Sequence, residues 1–177
     1  QMMDKYWQHE DVFDYLLSCY TNCALSKQKM LDLYRNHIPR IALDEDTEKF
    51  LTELNKIRVN KVLITDGRSV TQRNKLKALG LEDYFDYLVI SQEIGSEKPS
   101  ESNFRLVENH FGAGDYIYIG DNYKKDFIAP NLLGWRTIAI EKYDCNIHTC
   151  NRAALPDNYL PHHTVSNFSE ICLCGSV

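Results

Sequence analysis

A chain of 177 residues, 44% hydrophobic and 25% charged, can bury a core and has the composition of an ordinary soluble globular protein. Its net charge of −5 leaves no basic footprint for nucleic acid, and no apolar run approaches the ~18 residues needed to span a bilayer. One domain, or a domain with a modest appendage, is expected in the cytoplasm, with no signal-peptide pattern at the start.

Residues 4 to 37 recur at helical spacing. Val12, Tyr15, Leu16, Cys19, Tyr20 and Cys23 mark one run, and Met30, Leu31, Leu33 and Tyr34 another, with Ser26 as N-cap and Pro39 beyond the end. Helices and strands then alternate. A helix from Asp46 to Leu54 leads into a strand from Lys61 to Ile64, and a helix from Val70 to Leu79 stops at Gly80. A strand follows from Tyr87 to Ser91, a helix from Ser102 to Phe111, and a strand from Tyr116 to Ile119. A helix from Phe127 to Leu133 and a strand from Arg136 to Ile140 complete the pattern. Residues 141 to 160 read as a loop, His163 to Val165 as a last short strand, and Ser169 to Cys172 as a helical turn. Such alternation predicts an α/β fold, a Rossmann-like parallel sheet with helices on both faces.

The chemistry-bearing residues sit where strands end. The run Asp115-Tyr-Ile-Tyr-Ile119 gives way to Gly120-Asp121, with Asp126 five residues on. In open α/β sheets ligands bind beyond the carboxyl ends of the strands. Two aspartates there are hard oxygen donors suited to a Mg²⁺ that shares its site with phosphate, or they cap the following helix. The run Lys61-Val-Leu-Ile-Thr65 ends in a hydroxyl residue before Asp66-Gly67, and Glu97-Lys98-Pro99 precedes a helix.

The order Thr65, Lys98-Pro99, Gly120-Asp121 with Asp126, and then Gly134-Trp135, resembles motifs two to four of the haloacid dehalogenase-like hydrolase superfamily. The resemblance covers about residues 47 to 171. It implies that Asp121 and Asp126 hold Mg²⁺, with Asp126 acting through water or instead holding Asp121 and Lys98 in place. It implies that Lys98 neutralises the phosphate, and that Thr65 donates its hydroxyl to a phosphate oxygen with help from the backbone N–H groups of Asp66 and Gly67. Asn122 is a candidate to line the pocket, and Arg68 and Arg73 are candidates to reach a substrate anion or are plain surface arginines. The branch resembled is that of Mg²⁺-dependent phosphatases similar to phosphoglycolate phosphatase, which act on a small phosphorylated metabolite through an aspartyl-phosphate.

The family's first motif, an apolar strand ending in Asp-x-Asp, has no counterpart here. The expectation is that this strand lies upstream of Gln1, with evolutionary loss as the competing account and a fusion to an upstream domain as one setting. Residues 1–42 then read as part of a helical cap and residues 43–177 as a core lacking its first strand. A chain without the nucleophile is expected to be inactive and to bind Mg²⁺ weakly or not at all. The alternatives are a non-catalytic binding or regulatory domain and a 2-haloacid dehalogenase.

Six cysteines complete the inventory. Cys145, Cys150, Cys172 and Cys174 with His148 allow zinc but not at its usual spacing, and reduced thiols are the expectation. Cys19 and Cys23 are expected to line an apolar helix face.

Overall fold

The computed structural model describes residues 4, 5, 8, 10–20, 24–141 and 154–173. Two short helices come first, α1 (Val12–Cys19) and α2 (Lys27–Asn36). Asp11 caps α1 by accepting from the amides of Phe13 and Asp14 at 2.9 and 3.1 Å. Ser26 caps α2 through Lys29 N–H. Lys27 ties the two first turns together, reaching Asp11 at 2.8 Å and Asp14 at 2.6 Å. Neither helix contains a buried residue. Cys19 is exposed, so its expected place on an apolar face is corrected: α1 ends there, in its own last turn. Cys23, Cys145, His148, Cys150 and Cys174 lie outside the described residues, and with them the question of zinc.

The α/β portion opens with α3 (Glu45–Leu54), capped by Asp44 on Thr47 N–H and carrying Glu45, Asp46 and Glu48 in its first turn, where the helix dipole favours negative charge. Then come β1 (Val62–Thr65), α4 (Ser69–Ala78), β2 (Tyr87–Ile90), α5 (Ser91–Ile94) and α6 (Glu101–Phe111). After these follow β3 (Ile117–Gly120), α7 (Ile128–Leu132), β4 (Arg136–Ile140) and β5 (His163–Val165), with 3₁₀ turns at Asp157–Tyr159 and Phe168–Glu170. The expected elements are present with ends shifted by a residue or so, and α5 is an addition. It is a single turn that continues straight from β2 and stops at Gly95 in the left-handed region. No apolar period announces so short an element.

All strand pairs are parallel, as the alternation requires. β1 pairs with β2, Thr65 opposite Ile90, and β3–β4–β5 form a second sheet in which Gly120 lies opposite Ala139. The described residues thus hold two half-sheets rather than one. β1 is hydrogen-bonded only to β2, and β3 only to β4, among those residues. The free sides of β1 and β3 share a cavity of about 330 Å³, whose lining includes Val62, Ile64, Ile117, Tyr118, Val107 and Trp135. Ile117 is half exposed there although it lies in a strand.

One of two core clusters among the described residues joins the two halves. Ile64 of β1 and Val89 of β2 cluster with Phe104 and Val107 of α6, and with Tyr118, Ala129 and Trp135. Phe104, fully buried, meets Tyr118 and Trp135 edge-on at ring distances of 5.1 and 5.5 Å. Trp135 stacks on Tyr116 at 4.6 Å and donates its indole N–H to Glu108 at 2.9 Å. No helix among the described residues is long and apolar enough to cross a membrane.

Candidate active site

The site is built from the three loops that leave β1, precede α6 and leave β3. After Gly120 the chain turns on Asn122, whose carbonyl accepts from Lys125 N–H at 3.0 Å and Asp126 N–H at 2.8 Å. The Asn122 side chain accepts from Lys124 N–H at 3.1 Å, so it shapes the turn. This turn folds Asp126 back beneath Gly120. A β-carbon at position 120 would lie 2.6 Å from Asp126 Oδ2 and 2.9 Å from its Cβ, so the close approach requires glycine.

Asp126 is 2% exposed and its carboxylate is fully engaged. Oδ2 accepts from Asp121 N–H at 3.1 Å and Asn122 N–H at 2.9 Å. Oδ1 accepts from Lys98 Nζ at 2.7 Å and from the Tyr118 hydroxyl at 3.4 Å. Of the two roles the resemblance allows Asp126, this geometry is that of the holder: it fixes Lys98 and the Asp121 backbone. Lys98 Nζ also reaches the Tyr118 hydroxyl at 3.1 Å. Burial by itself would push the Lys98 ammonium toward neutrality, but Tyr118 and Asp126, through charge and hydrogen bonds, more than reverse this, so its pKa is raised. Burial is also the main cause that pushes the Tyr118 phenol up. Both are in their ordinary protonated forms at neutral pH.

The backbone of Lys98 is fixed from the other half-sheet. Its N–H donates to Asp66 Oδ1 at 3.0 Å, just ahead of a cis peptide bond to Pro99. Asp66 Oδ2 accepts from Lys125 Nζ at 3.2 Å, and Lys125 also lies 3.7 Å from Glu97. Asp66 therefore ties together the loops after β1, before α6 and after β3. Lys98, Asp121 and Asp126 are joined by direct hydrogen bonds, and Thr65 is the β1 residue directly before Asp66.

Two departures from the expected phosphate cradle are visible. The Gly67 N–H donates to Ser91 Oγ at 2.8 Å, because β2 lies in register beside β1 and delivers Ser91 under the turn. That amide is spent inside the protein. Arg73 pairs with Glu93 through Nε and Nη2 at 2.8 and 3.0 Å, so it serves the α4–α5 contact rather than an anion. Tyr118, Lys125, Ser91 and the Asp66 carboxylate are the site residues that sequence reasoning missed. An aromatic in a strand reads as core, and only the packing of the Lys98 loop against β3 brings its hydroxyl to Lys98.

The metal expectation meets a sparse donor set. No group of three or more His, Cys, Asp or Glu side chains among the described residues is placed to hold a metal ion. With the Asp126 lone pairs taken, the side chain of Asp121 is the remaining carboxylate of the proposed pair. Mg²⁺ requires near-octahedral oxygen ligation, and these residues do not supply it by themselves. A larger cavity of about 600 Å³ lies at the opposite, amino ends of β3 and β4, lined by Glu108, Tyr116, Trp135 and Arg136 among others, and holds none of this chemistry.

A parallel α/β sheet with a lysine, two aspartates and a hydroxyl at its carboxyl edge defines a class, and comparison with known proteins identifies it. Residues 6–140 match the haloacid dehalogenase-like hydrolase family, and the chain belongs to that family. It is similar to N-acylneuraminate-9-phosphatase from Homo sapiens, 32% identical over 137 residues, which are 76% of this chain and 52% of that protein. It is also similar to the pyrimidine 5'-nucleotidase YjjG of Escherichia coli, 33% identical over 123 residues, 67% of this chain and 51% of that protein. The chain spans about half the length of these curated relatives. Among solved structures, the magnesium-bound HAD-hydrolase YfnB from Bacillus subtilis superposes with a TM-score of 0.66 at 18% identity, over 96% of this chain and 75% of that one. A 2-haloacid dehalogenase from Pseudomonas syringae gives 0.55 at 22% identity, over 72% and 50%. These likenesses establish the fold.

Proposed function

We propose that this chain belongs to a phosphomonoester hydrolase acting on a small phosphorylated metabolite through an aspartyl-phosphate. The observation that carries this reading is the placement of the Lys98–Asp126–Asp66 cluster at the carboxyl ends of β1 and β3, directly at the gap between the two half-sheets. A further parallel strand in that gap would bring a carboxylate at its end up to Lys98. The relatives that are named phosphatases and a nucleotidase favour phosphate over a halogenated acid.

Each group has a role in such a site. Lys98, kept charged by its partners, neutralises phosphate oxygens and the attacking carboxylate. Thr65 Oγ1 donates to a phosphate oxygen, with the Asp66 N–H beside it. Asp126 orients Lys98 and the Asp121 loop. When bound, Mg²⁺ would neutralise charge on the phosphoryl group; Asp121 is the residue here suited to ligate it, and the remaining anionic ligands would come with the added strand. α1 and α2 act as part of a cap over the site, excluding water and selecting substrate.

The test compares two proteins. The chain alone, assayed on a generic phosphomonoester with Mg²⁺, is expected to show no turnover. A version extended at its amino end by a Val/Ile-rich strand ending in Asp-x-Asp is expected to gain turnover and Mg²⁺ binding together; Asp121→Ala is expected to lose both, and Lys98→Met to lose the turnover. Robust hydrolysis by the chain alone, abolished by Asp121→Asn, would place the nucleophile within these residues and overturn the reading. Metal-free turnover of a 2-haloacid would favour the dehalogenase. A folded extended protein that binds phosphate but never turns it over would favour a non-catalytic binding domain.

A further inference from the structure

Tyr118 occupies a core strand, yet its hydroxyl does not behave as a core group. The residue is 8% exposed and its ring packs against Phe104. A phenylalanine would fill the same space without the cost of burying a hydroxyl. Among the described residues that hydroxyl meets Lys98 Nζ at 3.1 Å and Asp126 Oδ1 at 3.4 Å. The phenol accepts from the ammonium and donates to the carboxylate, which closes a three-membered ring of hydrogen bonds with the 2.7 Å Lys98–Asp126 contact.

We propose that Tyr118 is a positioning residue: its phenol fixes the direction of the Lys98 ammonium, so that two of its three N–H bonds are committed inward and the third is presented to a bound phosphate oxygen. This rests on the phosphate-site reading above. A lysine held by one carboxylate oxygen alone can swing about that contact on its flexible stem. A second acceptor at an angle to the first removes this freedom. Asp126 Oδ2 is itself clamped by two backbone N–H groups, so the ring hangs on the β3 loop and not on another mobile side chain. The Lys98 side chain keeps 13% exposure, so it is not sealed off from a ligand. Anion binding then draws on an already oriented donor, with less ordering left to occur on association.

The experiment follows the lysine directly. ¹⁵N-lysine-labelled chain gives the order of the Lys98 ammonium by Nζ relaxation, its signal assigned by loss in Lys98→Met. Calorimetry with inorganic phosphate, without added metal, gives the anion affinity. Tyr118→Phe and Tyr118→Met, which both lack the hydroxyl, are expected to lower the order of the ammonium and weaken phosphate several-fold. Phe104→Leu, which loosens the packing around the ring but keeps the phenol, is expected to change neither. Unaltered ammonium order in the folded Tyr118 variants overturns the proposal, whatever phosphate does. So does lowered order with unchanged phosphate affinity, if Lys98→Met weakens it. Equal effects from Phe104→Leu reduce Tyr118 to a packing residue and also overturn it. Failure of phosphate to bind the parent chain, or indifference to Lys98→Met, counts instead against the phosphate reading, while the ammonium order still decides whether Tyr118 holds the lysine.

Discussion

At the scale of single residues, the site depends on how closely Asp126 can approach the β3 terminus. Gly120→Ala puts a methyl group 2.6 Å from an oxygen that is already held by two amides. Asp126 can yield only by giving up its contacts to Lys98, Tyr118 and the loop. The expected cost is about 1–3 kcal/mol, in the range of other overpacked positions. It should be measurable as a lower urea midpoint, together with loss of the Lys98–Asp126 contact in a crystal structure. A second residue-scale expectation concerns acid. The Arg73 guanidinium, then the Ser69 hydroxyl, hold Glu93 below its ordinary value of 4.5. A carboxylate depressed by folding contributes stability that is fully present above its unfolded pKa and lost as pH falls through the folded one. The pair is largely solvated, with Arg73 53% exposed, so its worth is roughly 0.5 kcal/mol or less. Arg73→Met should erase that small increment above about pH 4.5 and raise the Glu93 titration in a carbon-detected NMR series.

At the scale of elements, the attachment of α2 is the informative case. Its last carbonyls have no partners within the helix, and α4 supplies them. Asn74 Nδ2 donates to the carbonyls of Asn36 at 2.9 Å and His37 at 3.1 Å, and Thr71 Oγ1 to that of Arg35 at 3.1 Å. With no buried residue of its own, α2 depends on these bonds for its place beside α4. Asn74→Ala is expected to weaken this attachment by roughly 1–2 kcal/mol, at about 1 kcal/mol per hydrogen bond. Faster amide exchange and proteolysis across Lys27–Asn36, with β1 to β4 unchanged, would show it. The 3₁₀ turn at Phe168–Glu170 is tied differently. Asp46 on α3 accepts from Phe168 N–H and Ser169 N–H at 2.7 and 2.9 Å, and Phe50 stacks on Phe168 at 4.7 Å. A helix that reads as an isolated amphipathic segment in sequence is thus the cap of a turn more than a hundred residues away.

At the scale of the whole molecule, two half-sheets are held by side chains. Phe104 is central: it touches β3 through Tyr118 and β4's entry through Trp135, in a cluster that also contains Ile64 and Val89 from the other half. Phe104→Ala is expected to cost about 3–5 kcal/mol, as for other fully buried aromatics. Because the cluster spans both halves, denaturant unfolding followed by Trp135 fluorescence, in a Trp7→Phe background, and by far-UV dichroism should shift together. Separate transitions would mean that the half-sheets are independent. Among the described residues β1 and β3 each keep one edge without a strand partner, and such edges are templates for pairing.

The sequence by itself determined the order of helices and strands, because each carries its own period or cap: Ser26 begins one helix, and Gly80, at positive φ, closes another. It also determined that Thr65, Lys98, Asp121 and Asp126 fall at strand and loop ends, since Gly-Asp ends an apolar run and Lys-Pro stands just before a helix. What it could not determine were relations between segments distant in the chain. Whether Asp126 faces a metal or a lysine depends on a turn closed by the Asn122 carbonyl and on Lys98, twenty-eight residues upstream. That Ser91 takes the Gly67 amide follows only from β1–β2 register. That Tyr118 addresses the site, and not merely the core, follows from the strand face on which Gly120 and its neighbours bring Asp126. Local rules choose the elements; hydrogen-bond partners and strand register, which are set by packing across the chain, choose what the side chains do.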